Sequence, residues 1–169
     1  MLDFKEYILE AVALKHLPWN GNPTIGWWKD VKKLTMYHGT NIDNLEGFAK
    51  TGLSVPDPRT KLFSLAFEPF TARAFAVMGG EARFVAAKSK ALTVPENKRA
   101  VVVFDIPQAW IAQHTDEDLG GNDTTHKDRL LDKTLYDQWK QNDQQYYQLC
   151  ELRVKTAVPA KFITGYMLK

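Results

Sequence analysis

The chain has 169 residues, 44 % of them hydrophobic and 25 % charged, which is the size and composition of one ordinary globular domain. Its net charge of +2 does not by itself argue for a nucleic-acid partner. The single cysteine excludes an internal disulfide, and no apolar run approaches the roughly 20 residues of a membrane span. The N-terminus lacks a signal-peptide layout, so we expect a protein of the cytoplasm.

The first 30 residues are expected to form a helix followed by a loop. Asp3 can cap a helix with Glu6 as its reciprocal partner, and the helical spacing of apolar residues continues to Lys15. Pro18 then ends the element, and a Trp-rich loop follows. We expect its tryptophans to pack the loop onto the body; the alternative is that one of them covers a ligand's ring.

The middle of the chain predicts short strands and helices in turn. Residues 32–39 (KKLTMYHG) predict a strand, and residues 41–54 predict a short amphipathic helix that Asn41 or Asp43 caps and Gly52 ends. Residues 61–67 predict a second strand, after which a proline starts another helix.

The last part of the chain predicts mainly strands. Residues 99–107 are rich in β-branched side chains and predict a central strand. Residues 108–143 form a polar segment, for which we expect a helical insert with a helix from about Lys127 to Lys140. Residues 146–154 and 158–168 predict the final strands. Helices and strands do not alternate regularly, so the pattern favours a single α+β domain over 1–169.

The strand around Glu151 has two distinct faces. Successive side chains of a strand point to opposite sides, so Cys150, Leu152 and Val154 share one face. This face is expected to be core, which makes the other face, with Glu151 and Arg153, accessible. A glutamate there faces water, pairs with an arginine or lines a cleft.

Three blocks of this chain together resemble the ADP-ribosyltransferase superfamily, in its diphtheria-toxin-like and PARP-like branch. They are YHGTNIDNLEGFAKTGL at 37–53, FSLAFEPFTARAFA at 63–76 and YQLCELRVKTAVPAKFITGYM at 147–167. The resemblance implies a split β-sandwich, in which two small antiparallel sheets with flanking helices form a cleft for NAD. It also implies cleavage of the nicotinamide–ribose bond of NAD and transfer of ADP-ribose to an acceptor.

The resemblance implies a role for each matching residue. Glu151 matches the catalytic glutamate, which stabilises the positive charge that develops on the ribose and holds its 2′-hydroxyl. His38 matches the histidine that hydrogen-bonds the ribose, and Gly39 matches the glycine whose backbone clamps the carboxamide. The other candidates for binding NAD are Thr40 on the adenosine side, Ser64 on the second strand, Phe75 as a stacking ring and Arg153 for a phosphate.

The second and third blocks depart from the family's pattern. Ser64 stands where the toxin-like branch has a stacking tyrosine, unless the strand is shifted by one residue and Phe63 takes that position. Leu149 lies two residues before Glu151, where the arginine-directed branch needs an acid or a glutamine, so arginine transfer is disfavoured.

Residues 137–148 precede the candidate glutamate, where the family carries its acceptor-recognition loop. Trp139, Tyr146 and Tyr147 are the candidate acceptor contacts, and they suit a protein acceptor better than a nucleic acid. The alternative is that the tyrosine pair only anchors the strand.

The sequence also bears on metal binding and on alternative functions. The His and acidic residues between 114 and 126 fit no ligand spacing, so we expect no metal. An NAD-dependent RNA 2′-phosphotransferase shares the fold but usually carries a basic N-terminal domain, for which the first 30 residues are too few. A catalytically inactive NAD- or protein-binding module is another alternative, as is a plain interaction protein. By analogy, a small transferase of this kind acts as an intracellular toxin or as a phage takeover or anti-defence factor.

Overall fold

The computed structural model describes residues 13–21, 32–56, 61–76, 94–114 and 151–169. These residues form a mixed α+β unit around one six-stranded sheet with the strand order β1-β6-β4-β2-β3-β5. The strands are β1 (His16–Leu17), β2 (Lys33–Asn41), β3 (Phe63–Ala66), β4 (Arg99–Pro107), β5 (Glu151–Val154) and β6 (Ile163–Leu168). The helices are α1 (Leu45–Thr51), α2 (Pro69–Ala76) and α3 (Gln108–His114), with 3₁₀ turns at Ile42–Asn44, Glu96–Lys98 and Ala160–Phe162.

The long antiparallel pair β2–β4 forms the centre of the sheet. Its register runs without interruption from Lys33 opposite Pro107 to Asn41 opposite Arg99. Residues 100–104 of β4 are all buried, so both faces of this strand are covered. Such burial explains the unbroken run of valines, because a strand buried on both faces has no polar side in its sequence.

The two faces of the sheet carry two separate cores. The larger core contains Met36, Phe104 and Leu152, together with Phe48 of α1 and Ile111 of α3. The smaller core lies on the opposite face, called here the α2 face because α2 packs on it; its buried members are Tyr37, Ala66, Ala72, Val101, Val103 and Met167.

Local signals predicted most element boundaries correctly. The side chain of Asn41 accepts a hydrogen bond from the backbone N–H of Asp43 and so caps the 3₁₀ turn that leads into α1. The N-cap position of α1 itself is Asn44, which makes no side-chain cap hydrogen bond. Gly52 ends α1 with a φ of 71°, a conformation that favours glycine. The helix α2 begins at Pro69. The expected core face of β5 is confirmed, since Leu152 and Val154 are buried.

The expected N-terminal helix is wrong at residues 13–15, the part of it that lies within the described residues. Residues 13–15 are not helical, and His16–Leu17 form β1, which pairs in parallel with Tyr166 and Met167 of β6. The hydrogen bond from Tyr166 N to Lys15 O, 2.9 Å long, holds this segment against β6. A pairing across most of the chain therefore overrides the local helical pattern.

The polar segment 108–143 begins with α3, and the remainder of it, including the expected helix at 127–140, lies outside the described residues. The end of α3 lies close to the end of β5, because Lys155 N donates to His114 O over 2.8 Å. Within the five described ranges, none of the helices has the length and apolar character needed to cross a membrane.

Candidate functional site

The strands β2 and β3 are joined at one point and then part. Their ladder consists of the single pair Tyr37 and Ala66. Beyond it, His38 of β2 bridges to β3 through its side chain: Nδ1 lies 2.8 Å from the carbonyl oxygen of Ser64. We call the region formed by residues 38–41 of β2 and 63–65 of β3, next to the pair of Tyr37 and Ala66, the β2–β3 fork.

The contact with Ser64 determines the tautomer of His38. A carbonyl oxygen only accepts, so Nδ1 must carry the proton, and in the neutral ring Nε2 is then an acceptor. The ring also lies beside Phe48, with the centroids 5.6 Å apart. The imidazole is therefore oriented on two sides, and in neutral His38 the second nitrogen can accept from a hydroxyl group.

The register brings the candidate residues of three strands to neighbouring positions. Ala66 lies between Tyr37 on one side and the backbone of Glu151 on the other. Two residues along, Ser64 lies opposite Arg153. Neighbouring strands are about 4.8 Å apart, so the positions of His38, Ser64, Glu151 and Arg153 fall within one small area at the fork.

Phe63 and Ser64, the two alternatives for the position of the strand tyrosine, have different surroundings. Phe63 is buried in the larger core, whereas Ser64 is only half-buried and lies opposite Arg153. Ser64 is thus the residue that a molecule in the fork can reach. This leaves Phe75, half-buried on α2, as the aromatic candidate among the described residues of the two matching blocks.

Gly39 has a packing role that the sequence did not reveal. A Cβ built on it would overlap the carbonyl group of Ala72 and lie 2.8 Å from the nitrogen of Ala76. The backbone of α2 therefore lies directly on the Cα of Gly39. A ligand that contacts the backbone of Gly39 has to approach from another side than the α2 face.

Thr40 is engaged within the protein. It is buried, and its hydroxyl oxygen accepts a hydrogen bond of 3.2 Å from Nδ2 of Asn44 in the following 3₁₀ turn. The contact with Asn44 gives Thr40 a structural role at the end of β2, in addition to the predicted role on the adenosine side.

Glu68 is a buried acid that the sequence reasoning missed. Glu68 lies between β3 and α2 and is 3 % exposed. Its Oε1 accepts a hydrogen bond of 2.9 Å from the hydroxyl group of Thr71. Burial raises the pKa of this carboxyl, and the hydrogen bond from Thr71 partly offsets the effect. A single acid in the apolar run FSLAFEPF was the signal that could have found it.

The acceptor candidates Trp139, Tyr146 and Tyr147 lie outside the described residues. In the part of the chain that is described, no group of three or more His, Cys, Asp and Glu residues could hold a metal ion.

Comparisons with protein-family models, with curated proteins and with solved structures gave no match to this chain.

Proposed function

We propose that the protein is a mono-ADP-ribosyltransferase that uses NAD as a substrate and transfers ADP-ribose to a macromolecular acceptor. The proposal includes the split β-sandwich fold of that superfamily, with NAD bound at the β2–β3 fork. It also includes action in the cytoplasm of a host cell, as a toxin or as a phage takeover or anti-defence factor.

The observation that supports the proposal most is the hydrogen bond between His38 and Ser64. It holds an imidazole at the point where two strands part, with the proton on Nδ1, so that Nε2 is the acceptor nitrogen of the neutral ring. A ribose has hydroxyl groups that can donate to such an acceptor. The strand positions of Glu151 and Arg153 lie next to Ala66 and Ser64, so the proposed catalytic glutamate and the proposed phosphate-binding arginine belong to the strand that borders β3 at the fork.

The proposed reaction breaks one bond and forms one. The bond between C1′ of the ribose and the nicotinamide nitrogen breaks, and the nitrogen keeps the electron pair. Positive charge then develops on the ribose, where the carboxylate of Glu151 stabilises the transition state more than the ground state. An acceptor nucleophile forms the new bond to C1′ and loses its proton to solvent.

The remaining groups would bind and orient NAD. His38 fixes a ribose hydroxyl, and Arg153 binds a phosphate as a charge-assisted partner. The nicotinamide would approach Gly39 from the edge of β2 that faces the fork, since the backbone of Ala72 covers the other side of that glycine. Phe75 supplies the ring on which the nicotinamide stacks.

The test is a transfer assay with radiolabelled NAD. Wild type, Glu151→Gln and the control Glu46→Gln are incubated with bacterial lysate, and free nicotinamide is measured in the same tubes. Glu46 is an exposed residue of α1 that pairs with Lys50, so its substitution removes a carboxylate away from the fork. We expect label on a macromolecule with wild type and with Glu46→Gln, and a loss of at least about 100-fold with Glu151→Gln.

The outcomes separate the proposal from its alternatives. Nicotinamide release without label indicates a hydrolase, or an acceptor that the lysate lacks. NAD binding without release of nicotinamide indicates an inactive binding module. If wild type neither binds NAD nor releases nicotinamide, the proposed function is wrong.

A further inference from the structure

An exposed aromatic ring surrounded by cations lies on the outer side of α2. Within the described ranges, Phe70 and Val55 are the large hydrophobic residues with exposed side chains, and Phe70 is 46 % exposed. Nζ of Lys169 lies 4.7 Å from the centre of the Phe70 ring, and Trp19 meets that ring edge-on at 5.3 Å. Trp19, Gly21 and Lys169 all lie close to the ring, and Phe70 is nevertheless exposed.

A second group of charges continues along the same helix face. Arg73 lies one turn after Phe70, and its Nη2 donates to Oε1 of Glu96 over 3.0 Å. Arg99 lies close by, with its Nε bound to the carbonyl oxygen of Val94. We call this surface the Phe70 patch; it consists of Trp19, Phe70, Arg73, Glu96, Arg99 and Lys169.

The patch contains three cations and one carboxylate, so its side chains carry the same net charge of +2 as the whole chain, gathered on one surface. The hydrogen bond and the charge of Arg73, and then the charges of Arg99 and Lys169, lower the pKa of Glu96. One carboxylate therefore lies in the field of three cations. Glu96 is the exposed member of its pair with Arg73, at 75 %, whereas the Arg73 side chain is 13 % exposed and presents Nη2 to Glu96. An incoming anion would replace Glu96 at this nitrogen.

We propose that the Phe70 patch binds single-stranded nucleic acid, with a base on the Phe70 ring and backbone phosphates on Arg73, Arg99 and Lys169. Single strands are bound by grooves and surfaces that combine cations with accessible aromatic rings. A base has a π-face that stacks on the ring while its phosphate meets a cation, so one nucleotide uses both features of the patch. An acidic protein surface is the alternative that competition by polyglutamate tests. The inference does not depend on the proposed NAD chemistry, because the binding requires no NAD.

The experiment measures the fluorescence anisotropy of a labelled oligothymidine of about 15 nucleotides, at about 50 mM salt, with the complete chain and no NAD. We expect Arg73→Gln and Lys169→Gln each to weaken binding about threefold to tenfold and to reduce the dependence of log K on log salt by about 0.7. The control Lys50→Gln removes the same charge from α1, where Lys50 pairs with Glu46. It should change the affinity less than twofold.

The contribution of the ring is tested separately from that of the charges. Phe70→Leu keeps the apolar contact with Trp19 but removes the stacking surface, and should weaken binding about fivefold or more. Phe70→Tyr keeps the ring and should bind like wild type, which separates loss of stacking from loss of folding. Glu96→Gln should bind more tightly than wild type, because it removes the negative charge that competes with a phosphate at Arg73.

Three results would overturn the proposal. The first is no binding of the oligothymidine by wild type. The second is a Lys50→Gln variant as weak as Arg73→Gln. The third is a Phe70→Leu variant that binds like wild type while polyglutamate competes with the oligothymidine, which would assign the patch to acidic proteins.

Discussion

The backbone of Ala72 occupies the space that a side chain at Gly39 would need. This relationship links β2 to α2 at the point where the candidate site begins. It also means that Gly39 is required for folding as well as for the proposed binding of NAD.

Gly39→Ala is therefore expected to destabilise the protein severely. The new methyl group would overlap the Ala72 carbonyl, which cannot move without shifting α2, so we expect a loss of about 3 kcal/mol in the free energy of unfolding. Gly47→Ala is the matched control, since nothing lies within 4 Å of its Cβ position in α1, and it should gain about 0.5–1 kcal/mol. The free energies of unfolding of both variants are measured by urea unfolding. A Gly39→Ala variant as stable as wild type would contradict the close packing at Gly39.

Substitutions of His38 should separate its structural from its proposed chemical role. His38→Asn retains an N–H near the position of Nδ1, so the contact with Ser64 can persist and stability should change by less than about 0.5 kcal/mol. His38→Ala loses the contact and should cost about 0.5–1.5 kcal/mol. Under the proposed function both variants lose NAD turnover, because both lack Nε2. Full turnover by stable His38→Asn would show that Nε2 has no part in the reaction.

Glu68→Gln should alter how stability depends on pH. Burial raises the pKa of Glu68 above its ordinary value of 4.5, so the folded state keeps a proton that the unfolded state releases. The contribution of this residue to stability therefore falls as the pH rises from 4.5 through the raised pKa. Glutamine can still accept from Thr71 and does not titrate. Its stability relative to wild type should rise over that pH range in chemical unfolding, and parallel curves would show that Glu68 is not effectively buried.

Ser64→Tyr tests whether an aromatic ring at residue 64 of the proposed NAD site strengthens the binding of NAD. A ring at this half-buried position can stack on the nicotinamide, and aromatic pairs contribute about 0.5–1.5 kcal/mol, so we expect KM for NAD to fall about twofold to tenfold. Ser64→Ala is the control: His38 is bound by the carbonyl oxygen of Ser64 and not by its hydroxyl, so the contact should persist. An unchanged KM in a folded Ser64→Tyr variant would argue against stacking there.

The elements that could be predicted from the sequence are those with local causes. The cap at Asn41, the positive φ at Gly52 and the start of α2 at Pro69 each depend on residues within one turn. The strand β1 could not be predicted, because two residues become a strand only through their pairing with β6 at the far end of the chain.

The candidate site was predictable as a set of residues but not as a geometry. The blocks containing His38 and Ser64 were identified from the sequence, yet the hydrogen bond between them depends on how far the β2–β3 ladder extends. Tyr37 alternates with apolar neighbours as on a two-faced strand, and it is nevertheless 3 % exposed because α2 covers its face. Such burial depends on packing between elements, which a single sequence pattern does not encode.

The hydrogen bond between Lys155 and His114 places the end of α3 beside the far end of β5, so residues 115–150 leave the described fold at His114 and rejoin it one short strand away, at Glu151. The entropy of closing a loop between two fixed points grows slowly with its length, by about 0.6 kcal/mol for each doubling, so a change in the number of residues between these junctions costs little. Insertions, deletions or exchanges there need not disturb the ladder of β3 with β5. Under the proposed function, selection for a new acceptor could therefore change the region that holds Trp139, Tyr146 and Tyr147 while the fork is inherited unchanged. The junctions at His114 and Glu151 are also suitable places to graft a foreign loop.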